Sequence, residues 1–155
     1  LPISMVCSNL VNFLLACVVL AAMLLAFRVE LSPLMLYFPV ILLIHLIFLL
    51  GLALLFSSLN VFFRDTEVIM EVVVLAWFFM TPVFYNIEDL TSTFSRLMYI
   101  LNPMASIIST YRLVLLYHSP PAAEFLLRTL ATSVAVLLIG YWFFLRQAPA
   151  FGEEV

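Results

Sequence analysis

The chain has 155 residues, 66% of them apolar and 10% charged, with a formal net charge of −3 and a mean hydropathy of +1.25. An ordinary globular domain is about half apolar and about a quarter charged, so these values exclude a water-soluble fold and point to membrane-spanning helices. Lysine is absent and the six arginines (Arg28, Arg64, Arg96, Arg112, Arg128 and Arg146) stand singly, which leaves no basic patch for nucleic acid.

The first predicted span covers residues 10–27, with Asn12 as its only strongly polar residue. Cys7 and Cys17 would lie about 15 Å apart along one helix, too far for a disulfide, and read as small core residues. Arg28, Glu30, Ser32 and Pro33 break the pattern before a second span over 34–59, which carries Pro39, His45 and Gly51. A polar turn follows, with Asn60, Arg64, Asp65 and Glu67, and then a third span over 68–85. Glu71 lies near the start of that span and Pro82 near its end, where Trp77, Phe78, Phe79, Phe84 and Tyr85 crowd together.

Residues 86–124 are too many for a turn and too apolar for a disordered loop. Two short helices, 89–101 and 104–117, fit there, separated by Asn102-Pro103, because proline disfavours helix at the residue before it. In the second, Met104, Ile107, Ile108, Tyr111 and Leu115 share one face, and Ser106, Ser109 and Arg112 lie along another. Helices this short cannot span, so they are either re-entrant elements lining a pathway or a lid lying on the bilayer surface. The last span covers 125–145 and closes with Tyr141-Trp142-Phe143-Phe144 and Arg146, an aromatic belt with a snorkelling cation. The fold class is all-α integral membrane, with four transmembrane helices plus two short re-entrant helices in a single domain across 1–155. Arginine placement does not orient the spans.

Arg64, Glu67 and Glu71 would share one helical face, as an interfacial ion cluster or as one end of a conduit. His45 lies near mid-membrane without a carboxylate at its depth, which fits a helix–helix contact better than a proton relay. Trp77, Phe78 and Phe84 are conduit candidates, because aromatic faces pair with C–H-rich sugar faces. Three widely separated glycines cannot build a phosphate cradle, and no metal or nucleophile motif occurs. No catalytic, cofactor-binding or metal site is therefore expected, and energy for mechanical work must come from a partner. An intramembrane transferase would need paired acid–base groups at one depth, which are not evident.

Four motifs in order bring a resemblance. Asn60-Val61-Phe62-Phe63-Arg64-Asp65, Thr81-Pro82-Val83-Phe84-Tyr85, Leu101-Asn102-Pro103-Met104 and Tyr111-Arg112 resemble the motif set of type-2 ABC transporter permeases, in the branch exporting polysaccharide, O-antigen and teichoic acid. The start of the chain also looks like the segment leading into that family's third span, so the likeness covers nearly the whole length. It implies the C-terminal part of a longer permease, in the bacterial inner membrane, with both ends of this stretch and the Arg64 turn cytoplasmic. It also implies two extracytoplasmic gate helices, a permease homodimer, and two ATP-binding cassette subunits that bind and hydrolyse ATP while the permease itself does not. The cargo would be a polysaccharide or a lipid-linked or polyol-phosphate glycan, with a drug or small lipid as the alternative. At matched positions, Asn60, Arg64 and Asp65 would hold the cytoplasmic turn. Pro82 and Tyr85 would shape the outer end of the third span, Asn102 and Pro103 would set the bend between gate helices, and Tyr111 and Arg112 would lie on the second. Arg112 would touch phosphate or sugar or clamp a backbone carbonyl.

Overall fold

A computed structural model describes residues 2–29, 32–62, 66–83, 99 and 102–147. The described residues form α1 (Pro2–Ala26), a 3-10 turn (Pro33–Tyr37), α2 (Phe38–Phe62), α3 (Thr66–Met80), α4 (Pro103–Leu115) and α5 (Ala123–Gln147), with no strand among them. Three stretches are long and apolar enough to cross a membrane: α1, the 3-10 turn with α2, and α5. The 15 residues of α3 make about 22 Å of helix, short of the roughly 30 Å hydrocarbon core.

The local sequence explains the ends. Arg28 closes α1 in the left-handed region (φ 56°), where the Val29 amide donates to Leu24 O at 2.9 Å. His118 closes α4 the same way (φ 49°), and the Ser119 amide donates to Leu113 O at 3.0 Å. Both are helix-terminating turns in which glycine is the usual residue. Ser32 opens the 3-10 turn, its hydroxyl accepting from the Leu34 amide, with Pro33 in the first position.

Several boundaries differ from the sequence expectation. α1 starts at Pro2, two turns before residue 10; Ser4, Ser8 and Asn9 do not stop it, and Asn9 donates back to Met5 O at 3.1 Å. α3 ends at Met80 instead of 85, because Pro82 excludes helix at Thr81 and the Thr81 hydroxyl takes up Trp77 O. α4 starts one residue early and ends at Leu115, and α5 begins at Ala123. The helix expected over 89–101 lies outside the described residues except for Tyr99, as do Arg64 and Asp65. Cys7 is exposed and Cys17 half-buried, so neither is a core residue.

The hub is α2. Ile41, Ile44 and Phe48 from α2 meet Ile107 and Val114 from α4, and Leu126, Leu130 and Val136 of α5 pack around them. The first half of α2 and much of α5 thus enter one cluster around α4. Their backbones touch further along, at Gly51 and Gly140: a Cβ on Gly140 would sit 2.2 Å from Gly51 O. The two helices therefore run in the same direction. Ser58, Thr129 and Ser133 are buried on these helices. Their hydroxyls each donate, at 2.8 Å, to a carbonyl one turn back on their own helix. Small residues at the contact permit the close approach that membrane helices rely on.

By contrast α1 and α3 present apolar side chains outward, for example Val18 at 67% and Val68 at 66% exposure. Such faces are stable in lipid and not in water.

Candidate functional site

Asn102 gathers the polar contacts between α3 and α4. As N-cap of α4 its Oδ1 accepts from the Ala105 amide at 3.3 Å. The same oxygen accepts from the Trp77 indole N–H at 2.8 Å. Its Nδ2 donates to the Thr81 hydroxyl at 3.0 Å, and that hydroxyl donates to Trp77 O at 2.8 Å. Asn102 and Thr81 are each 4% exposed. Oδ1 thus uses both lone pairs, in a dry place where an unmade bond is costly.

Two further links hold α4. The Arg112 guanidinium donates to the Val83 carbonyl just beyond α3, as in the carbonyl-clamp alternative. Ser106, expected on a face apart from Met104 and Tyr111, and Thr110, given no role from the sequence, are both buried. The Ser106 hydroxyl donates to Tyr99 O and the Tyr99 hydroxyl to Ser109 Oγ, each at 3.3 Å. Ser106 and Thr110 stand one turn apart, a small-residue spacing that admits a close neighbour. That spacing was the available signal.

An aromatic group sits beside this node. His45 is 6% exposed, with its ring edge-on to Phe13 at 5.5 Å and 6.2 Å from Tyr111. It makes no hydrogen bond among the described residues, so the interhelical bond expected of a membrane histidine is not seen there. The Tyr111 hydroxyl is likewise buried without a partner among them; burial first, then the nearby Cys17, pushes its pKa up.

Between α1, α2, α3 and α4 lies a cavity of about 590 Å³, with Phe13, His45, Phe48, Trp77, Phe78 and Met104 among its walls. It brings Trp77 and Phe78 to one wall, and Trp77 stacks edge-to-face on Phe48 at 6.4 Å. Of the other expected site residues, Pro82 is buried beside Thr81, Pro103 is buried at the first position of α4, and Asn60 is exposed near the end of α2. Phe84 and Tyr85 lie outside the described residues. No cluster of metal-ligating side chains occurs among the described residues. In the sequence Thr81 is only the first residue of its motif, with no role of its own; the structure makes it a partner of Asn102.

Comparison with known sequences adds family information. The profile of a family described as ABC-2 type transporter matches residues 3–116. An O-antigen export system permease protein RfbA from Myxococcus xanthus is 34% identical over 156 residues, covering 100% of this chain and 60% of its own length. A protein of the same name from Klebsiella pneumoniae is 32% identical over 113 residues, covering 72% of this chain and 43% of its own. The chain therefore spans about 60% of the length of the Myxococcus relative.

Proposed function

We infer the function from one premise: the chain belongs to the ABC-2 type transporter family. It is the membrane permease subunit of an exporter that moves a polysaccharide or a lipid-linked or polyol-phosphate glycan out of the cytoplasm. The observation that carries this reading is the 34% identity, across the whole chain, to an O-antigen export permease. Three apolar helices of spanning length agree with residence in the membrane.

In the finer picture α3 and the residues after it make a fourth span. With the cytoplasm at both ends of this stretch, α1 leads outward, α2 inward, α3 outward and α5 inward. That order suits the parallel α2 and α5 and places α4 toward the outer side. Asn60, Arg64 and Asp65 then hold a cytoplasmic turn, α4 is a gate helix, and Pro82, Tyr85, Asn102, Pro103, Tyr111 and Arg112 set its position. Trp77, Phe78 and Phe84 stand along the path of the cargo. Two permeases pair with two ATP-binding subunits, which supply the energy; no cofactor is held by the permease.

The test is transport. The permease, reconstituted with its ATP-binding subunit, should carry radiolabelled glycan across the bilayer only when ATP is hydrolysed. Transport of small lipids or drugs without glycan would instead support the alternative cargo. Product formation without transport would support a transferase.

A further inference from the structure

We propose that Trp77 and Thr81 are positioning residues that latch the end of α3 to the start of α4, so that the last turn of α3 and the gate helix move together. The idea rests on the gating role proposed for α4.

The first observation is where α3 is attached. Most of its length faces outward: Val68, Val72 and Leu75 are 66%, 65% and 59% exposed. Among the described residues, its side-chain hydrogen bonds to α4 lie at the C-terminal end. There Trp77 stacks on Phe48 and Trp77 and Thr81 bond to Asn102.

The second observation is that the bonds close a ring. The path runs from the Trp77 N–H to Asn102 Oδ1, through the amide to Nδ2, on to the Thr81 hydroxyl, and back to Trp77 O. Asn102 is also the cap of α4. A displacement of the last turn of α3 therefore acts on the first turn of α4 through one buried side chain. In a water-poor site these bonds have no replacement partner, so the joint prefers to stay closed. Arg112 gripping Val83 O gives α4 a second hold on the same end, further along its length. Two holds between the same pair of elements couple rotation as well as translation.

The test separates latching from folding. Trp77→Phe keeps an aromatic ring against Phe48 but removes the N–H donor, and Thr81→Val keeps shape but removes the hydroxyl. Thr81→Ser restores a hydroxyl and should behave as the parent. Spin labels at Val72→Cys and Leu116→Cys, in a background with Cys7 and Cys17 replaced by serine, report the α3–α4 distance in the reconstituted exporter. The parent should give one narrow distance distribution that is the same in nucleotide-free and ATP-bound states. Each single variant should move the latched population by about fivefold, and the Trp77→Phe/Thr81→Val pair by roughly thirtyfold, from the net worth of one and two hydrogen bonds. Export per ATP hydrolysed should fall in step, with ATP turnover retained. An unchanged distance distribution in the double variant overturns the latch, as does a fall in protein yield with normal export per ATP in what remains. If the parent moves no glycan while the distances respond as described, the export reading fails and the latch stands.

Discussion

Gly140→Ala probes the point where α2 and α5 come closest. The added Cβ would lie 2.2 Å from Gly51 O and 3.1 Å from Gly51 C. Both neighbours are backbone, so no side chain can swing aside. Restoring the 3.4 Å of ordinary contact requires the helices to part by about 1.2 Å, and a gap of that order forfeits a large part of the dispersion attraction along the seam. Overpacking of a rigid contact costs about 1–3 kcal/mol, and the upper half of that range applies here. For a protein of this size that lowers Tm by roughly 4–12 °C. Thermal unfolding of the purified permease, followed by retention of a monodisperse chromatographic peak, measures the shift. Gly51→Ala should behave alike, since its Cβ would sit 2.6 Å from Leu137 N. Leu138→Ala, on the same helix at 61% exposure, is the reference and should move Tm little. If Gly140→Ala melts with Leu138→Ala, the backbone contact described for α2 and α5 does not exist.

Other substitutions give outcomes of different sign. Asn102→Ala removes a helix cap and strands the Trp77 and Thr81 groups, so it should destabilise by about 1–3 kcal/mol in the same melting assay. Tyr111→Phe deletes a buried hydroxyl without a described partner, and should be neutral or stabilise by up to about 1 kcal/mol. The raised pKa of Tyr111 means its phenol should stay neutral in an alkaline absorbance titration beyond the ordinary tyrosine value of about 10. The neutral form is the one favoured by the fold, so its contribution holds below the ordinary tyrosine pKa and is lost only as pH rises toward the raised value. Arg146 lies over the Trp142 ring at 5.3 Å, and Arg146→Gln should cost about 0.5–1 kcal/mol at that exposed site. In a Trp77→Phe background the same change should alter the emission of Trp142, the other tryptophan of this sequence.

The long apolar helices were legible because hydropathy over some twenty residues outweighs any single polar side chain. The end of α3 was misread for the converse reason. A span pattern continues through Trp77-Phe78-Phe79-Met80, and only the local conflict between Thr81 and Pro82 ends the helix. Asn102-Pro103 showed a break, and the structure adds that the same asparagine caps α4 and binds α3. That second role is a long-range contact, across 25 residues to Trp77, which periodicity does not encode. The helical spacing set Ser106 apart from the apolar face but did not say what covers it; among packed membrane helices a small hydroxyl residue often marks a buried face.

The hydroxyls of Ser58, Thr129 and Ser133 satisfy themselves on their own helices, so in these bonds nothing polar is exchanged across the α2–α5 seam. What the seam demands of its sequence is volume. Alanine, serine or cysteine could replace one another there while the spacing is kept, whereas the gain of a few methylenes would wedge the helices apart. Divergent descendants of this chain should therefore vary freely in chemistry along that line and hardly at all in bulk.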